Sequence, residues 1–142
     1  MHPNDLSADR GAIRELLSTA RRIAIVGISP KPHRPSNAVA RYLRDAGYTI
    51  IPVNPAHDEV LGEKCYPSVR EAPGPIDIVD VFRKPDEVMA VAEDAIAAGA
   101  GCLWMQLGVI APEAAQRAAE AGLKVVMNRC TEVEHMALGR QG

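Results

Sequence analysis

Cysteine is scarce in this chain: Cys65, Cys102 and Cys130 are odd in number and widely spaced, and none forms a CxxC pair. That pattern indicates neither a disulfide framework nor a zinc site. Net charge is also small, with 16 Lys and Arg against 18 Asp and Glu and a formal value of -2. A general electrostatic case for nucleic acid is thereby removed, and local charge placement must carry the argument. No apolar run approaches the roughly 20 residues needed to span a bilayer. The first residues also lack the charged-then-apolar order of a secretory signal, so a cytoplasmic protein is the expectation. Internal repeats, low-complexity tracts and linkers are missing as well. The 142 residues therefore read as one domain, residues 1–142, large enough for a two-sided core.

The glycine signatures of nucleotide binding are absent too. No GxxxxGK followed by Ser or Thr occurs anywhere. The turn Gly27-Ile28-Ser29-Pro30-Lys31-Pro32 lacks the second and third glycines of GxGxxG. At the end of the second strand, Asn54 stands where a dinucleotide site needs Asp or Glu for the ribose hydroxyl. NAD is disfavoured on these grounds. An NADP-binding reductase stays as an alternative, since nearby cations suit a 2′-phosphate, although no hydride-transfer acid is evident.

What the chain does contain is an alternation of amphipathic stretches with short apolar runs. Ile13, Leu16, Leu17 and Ala20 share one helical face within 7–20, which Ser7 or Asp9 would cap. Residues 22–28 then form a β-branched strand, and Ser36 or Asn37 is expected to cap a helix over 36–46. Further strands are predicted at 48–53, 76–82, 102–106 and 123–127. Helices are predicted from Pro85 to Gly99 and from Pro112 to Ala121, and a short one follows Thr131 as cap. Residues 56–75 read as loop with a helical turn near Ser68–Glu71. Pro52 has no amide to donate, so its end of the second strand belongs at an edge or is distorted. Five buried strands alternating with helices predict an α/β, Rossmann-like three-layer fold. Its five-stranded parallel sheet is expected in the order 3-2-1-4-5 with helices on both faces.

In such a fold the ligand lies beyond the carboxyl ends of the strands, at the switch point expected between the first and fourth. The first strand delivers Gly27, Ile28 and Ser29, then a proline-stiffened turn with Lys31, His33 and Arg34 that leads to Ser36. The second delivers Asn54, Pro55 and His57, the third Phe82, Arg83 and Lys84, and the fourth Gln106 and Gly108. After the fifth come Asn128, Arg129 and Cys130. Loops collect cations in any protein, but here they follow four of five strands in a slightly acidic chain. A polyanionic ligand held by charge-assisted contacts is the expectation. Asp80 lies within an apolar strand and needs a partner there, such as Arg129. Trp104 and Met105 read as core or pocket wall.

The runs VGISPKPHRPSNAVARYLRDAGYTIIPVNP, IDIVDVFRKP, WMQLG and VVMNRCTEVEH resemble the stand-alone CoA-binding proteins of bacteria. These are similar to the N-terminal CoA-binding domain of the succinyl-CoA synthetase α subunit. The resemblance spans about Ala20 to His135 and implies a domain that binds coenzyme A or an acyl-CoA. It implies that Gly27, Ile28 and Ser29 meet the phosphates and that Arg34 and Lys31 offset their charge; Ser36, at the helix start, is a further expected cofactor-site residue. Asn54 and Pro55 would line the adenosine side, with Phe82, Arg83 and Gln106 contacting the rest. The synthetase needs a further domain with a phosphorylated histidine and a second subunit, for which this chain has no counterpart. The resemblance thus implies binding without catalysis, as a carrier, sensor or partner subunit, with no catalytic residue and no metal. The alternative is thiol or acyl-transfer chemistry between CoA and Cys130, whose pKa a helix start or Arg129 would lower.

Overall fold

The computed structural model of the chain describes residues 2–139. Asp9 opens α1 (Arg10–Thr19) by accepting the Ala12 amide at 3.0 Å, and Ile13 and Leu17 turn inward. β1 (Arg22–Val26) follows, with Ile23 to Val26 buried. After a turn come α2 (Pro35–Asp45) and β2 (Thr49–Val53). A small antiparallel hairpin, β3 (Glu59–Val60) with β4 (Glu63–Lys64), and a 3-10 turn at Val69–Glu71 precede β5 (Ile78–Val81). A second 3-10 turn, Pro85–Glu87, leads into α3 (Val88–Ala97). The chain then runs through β6 (Cys102–Met105), α4 (Pro112–Glu120), β7 (Lys124–Val126) and α5 (Thr131–Gly139).

Five strands pair in parallel in the order β2-β1-β5-β6-β7. Alternating side chains divide the core between the two faces. Ala24, Val26, Val79, Val81, Leu103 and Val125 pack with the apolar side chains of α3 and α4. Ile23, Ile25, Ile78, Cys102 and Trp104 pack with α1, α2 and part of α5. The three-layer α/β fold with five parallel strands is the expected one.

The expected strand order is corrected. The third long strand, β5, lies beside β1 and β6 rather than outside β2. Pro52 supplies the physical reason. Gly27 donates to the Val53 carbonyl at 2.9 Å, whereas the Pro52 carbonyl points to the opposite edge and accepts from Tyr66 at 3.0 Å. The Pro52 nitrogen shares that outer edge, where it has no hydrogen to offer, and a further full strand would find a broken ladder. Central β5 has all four residues buried and hydrogen-bonds on both sides. The switch point accordingly lies between β1 and β5. The stretch read as loop also holds the β3-β4 hairpin, which turns through Leu61 at φ 57° and Gly62 at φ 74°. Leucine seldom takes that left-handed conformation, so no turn signature announces it. No helix among the described residues is long and apolar enough to cross a membrane.

Candidate functional site

At the switch point β1 and β5 come so close that only glycine fits. A Cβ on Gly27, whose φ is +86°, would stand 2.4 Å from the Phe82 carbonyl oxygen. Beyond Gly27, the Ile28 side chain is fully buried and its carbonyl accepts from Asn54 Nδ2 at 2.9 Å. The next residues form a rigid turn. The Ser29 amide donates to Ser36 Oγ at 2.9 Å, Lys31 N donates to Ser29 Oγ at 3.1 Å, and Asn37 Nδ2 donates to the Ser29 carbonyl at 2.9 Å. Arg41 closes it from below through Asn37 Oδ1 and the Pro32 carbonyl, each at 2.9 Å.

Ser36 and Asn37 therefore do not cap α2, contrary to expectation. Arg34 occupies the N-cap position and no side chain satisfies the helix's first amides. An uncapped helix start of this kind favours an anion. It opens onto a cavity of about 910 Å³ whose walls include Gly27, Ser29, Lys31, Arg34 and Ser36 on one side. Phe82, Arg83, Lys84, Gln106 and Cys130 belong to the opposite walls, with His57 at the rim. Four permanent cations thus face it against a single acid, Glu87, which Arg83 approaches at 3.6 Å.

Of the residues expected to contact a ligand, eight line this cavity: Gly27, Ser29, Lys31, Arg34, Ser36, Phe82, Arg83 and Gln106. Ile28, Asn54 and Pro55 do not. Asn54 commits both side-chain polar atoms internally, donating to Ile28 and accepting the Ala56 amide at 2.9 Å. It ties the end of β2 to the end of β1. Pro55 lines a separate depression of about 340 Å³ with Val26, Val53 and Arg83. Gly108, expected at this edge, lines the cavity too, and Val39, Leu107 and Val109 join it without having been singled out in the sequence. Their apolar character gave no signal; only the closeness of α2 to the β6 end does.

Beneath the cavity floor runs a buried polar chain. Gln106 Oε1 accepts the Thr131 amide at 3.0 Å and lies 3.1 Å from Thr131 Oγ1, which is 2.9 Å from Asp80 Oδ2. Thr131 was expected to cap α5, but it is the first helical residue and its hydroxyl turns inward. Asp80 is completely buried and its Oδ1 has no partner. Burial, only partly offset by Thr131, raises its pKa well above the ordinary carboxylate value. The Thr131 hydroxyl has a single hydrogen to share between Asp80 Oδ2 and Gln106 Oε1. Arg129 is not the partner of Asp80. That guanidinium holds Glu134 Oε2 at 3.1 Å and the Ser7 carbonyl at 2.7 Å, and its own carbonyl accepts from Trp104 Nε1.

Two of the three thiols are shielded. Burial pushes Cys65 up, and burial followed by the Asp80 charge pushes fully buried Cys102 up far more. Cys130, half-buried, lines the cavity. Among the described residues no group of His, Cys, Asp and Glu is arranged to hold a metal.

Residues 21–136 match the sequence pattern of the family described as CoA binding domain. The chain belongs to that family. It is 44% identical over 126 residues to the uncharacterized protein YneT of Bacillus subtilis, covering 89% of this chain and 93% of YneT. A hypothetical protein from Pyrococcus horikoshii OT3 has the same fold with a TM-score of 0.90 at 46% identity, covering 97% of this chain and 96% of that one. Similarity also extends to the ADP-forming acetate–CoA ligase I of Archaeoglobus fulgidus, 36% identical over 64 residues. There the match covers 45% of this chain and 9% of the ligase, so this CoA-binding domain corresponds to a small part of the larger protein.

Proposed function

We propose that the chain binds CoA or an acyl-CoA non-covalently in the 910 Å³ cavity and acts as a carrier, sensor or partner subunit without catalysis of its own. The observation that carries this reading is the convergence of Lys31, Arg34, Arg83 and Lys84 on an uncapped helix start. CoA brings a diphosphate and a ribose 3′-phosphate to such a rim, and each charge-assisted contact is worth more than a neutral hydrogen bond. Gly27 and Ser29 let backbone and hydroxyl approach the phosphates. Phe82 and Gln106 border the path that the pantetheine arm takes across the strand ends. NADP fits less well, because Asn54 at the end of β2 is spent on internal hydrogen bonds.

Isothermal titration of the purified chain with CoA, NAD and NADP tests the reading. CoA is expected to bind, and the Arg34→Ala/Arg83→Ala double variant to weaken it by about 100-fold. Unchanged affinity in that variant would refute the site, and exclusive binding of NADP would revive the reductase alternative.

Cys130 supports a second reading, since it is the cavity's own thiol. Its thiolate would attack one sulfur of CoA disulfide, forming an Sγ–S bond to CoA while the old S–S bond breaks. The second CoA then leaves as thiolate and takes up a proton. Intact mass spectrometry with and without reductant distinguishes the two readings. A reductant-sensitive CoA adduct missing from Cys130→Ser establishes the exchange, whereas unmodified protein after incubation leaves the non-covalent reading alone.

A further inference from the structure

We infer that the CoA cavity continues into an acyl-chain groove, and that the preferred ligand is the thioester of an aliphatic monocarboxylic acid rather than free CoA or a dicarboxylic thioester. This rests on the CoA reading above. The observation behind it is that two chain segments, the loop from β5 into α3 and the loop from β6 into α4, wall both the cationic cavity and a second hollow of about 450 Å³. Pro85 belongs to both. From the cavity the loops continue without a break, Pro85 into Asp86 on one side and Val109 towards Ala111 on the other.

The chemistry changes along this path. Of the four cations, Lys31 and Arg34 lie at the α2 end and Arg83 and Lys84 at the start of the loop into α3, while Leu107 and Val109 border the cavity on the loop into α4. Met89, Ala111, Pro112 and Ala114 then give the second hollow an apolar lining. Exposed large apolar side chains also concentrate here. Leu107 is 70% exposed, Ile110 48% and Met89 38%, all on or beside these loops. Such a cluster next to a polar binding cavity marks surface that a ligand covers. With the phosphates at the uncapped start of α2, pantetheine carries the thioester towards the groove, and an alkyl chain attached there removes apolar surface from water.

The charged members of the second hollow decide which acyl group suits it. They are Asp86 and Glu113, one on each wall; no cation lines this hollow, and Lys84 of the adjoining cavity precedes the shared Pro85. A terminal carboxylate on the acyl chain would enter between two like charges, and a methyl end meets no such repulsion.

Titration of the full chain with CoA, acetyl-CoA, hexanoyl-CoA and succinyl-CoA tests the inference. Hexanoyl-CoA is expected to bind about tenfold more tightly than acetyl-CoA, which corresponds to partial burial of the added methylenes. Succinyl-CoA is expected to bind more weakly than acetyl-CoA. Met89→Glu and Ala111→Glu, both in the lining of the second hollow and outside that of the CoA cavity, should abolish the hexanoyl advantage and leave free CoA affinity unchanged. Equal affinity for hexanoyl- and acetyl-CoA, with CoA itself bound, would overturn the groove and leave the CoA reading standing. A hexanoyl advantage that persists in both variants would overturn its location. Binding of none of the four ligands would overturn the CoA reading and the groove with it.

Discussion

Gly27 shows how much one missing side chain carries. Its φ of +86° and the Phe82 carbonyl, which any added Cβ would strike, show how closely β1 and β5 approach at the cavity. Gly27→Ala is expected to cost about 2–4 kcal/mol, from backbone strain and a clash against main chain that cannot move aside cheaply. Urea unfolding measures it; a loss below about 0.5 kcal/mol would mean that the strand ends are looser than their geometry states. The sequence marked this glycine as a tight turn, but the neighbour that makes it obligatory lies 55 positions away in Phe82, since 82 − 27 = 55.

Asp80 is the other residue with a measurable signature. Because burial raises its folded-state pKa, the folded protein keeps a proton that the unfolded chain releases above about pH 4. Its contribution is therefore fully present in acid and is lost as pH rises towards the folded-state value. Asp80→Asn keeps a donor towards Thr131 and carries no ionisable group. The variant is expected to match the parent near about pH 4 and to be increasingly more stable than it towards about pH 8. A stability difference independent of pH would show that Asp80 is not held protonated. The need for a partner was legible from a lone carboxylate among apolar neighbours. Its identity was not, because Thr131 arrives from α5, 51 positions further along the chain.

At the scale of elements, the segment from β1 through the turn into α2 is the working part. Ser36 looked like a cap in the sequence because serine at a helix start usually is one. In the fold its hydroxyl is drawn to the Ser29 amide instead, since the three prolines leave few ways for the turn to satisfy its own backbone. The Ser36 amide is left for a ligand, since Pro35 has none and the Asn37 and Ala38 amides donate to the Arg34 carbonyl. Ser36→Ala should lower stability by about 1 kcal/mol and weaken CoA about tenfold by loosening the preorganised turn. Chemical denaturation and calorimetry on the same variant separate the two effects, and unaltered CoA affinity would show that the turn is held by other contacts. The five helices were each visible in the apolar spacing, with ends displaced by a residue or more. The β3-β4 hairpin was not, because two-residue strands turning through Leu61 have neither period nor turn residues to declare them.

For the molecule as a whole, both core layers and the site share one sheet, so ligand binding should report on global folding. With CoA at about 100 times its Kd, the folded state gains about 2.7 kcal/mol, which raises the melting temperature by about 5–10 °C for a domain of this size. Scanning calorimetry measures the shift. The Arg34→Ala/Arg83→Ala protein should lose it, and an equal shift in that variant would place the ligand elsewhere.

The residue pattern by itself determined the class of fold, the five strands of the main sheet, the helices between them and the cationic character of one sheet edge. All of these follow from local periodicity, β-branching and breakers, which act over a few residues. Tertiary structure alone decided the strand order, the pairing of Asp80 with Thr131, the internal use of Asn54 and the merging of two loops into one apolar groove. Each depends on contacts between segments far apart in sequence, whose energies depend on which strand occupies which edge. Pro52 carried a local clue to that choice. Its meaning became specific once the Tyr66 amide was seen on its outer side.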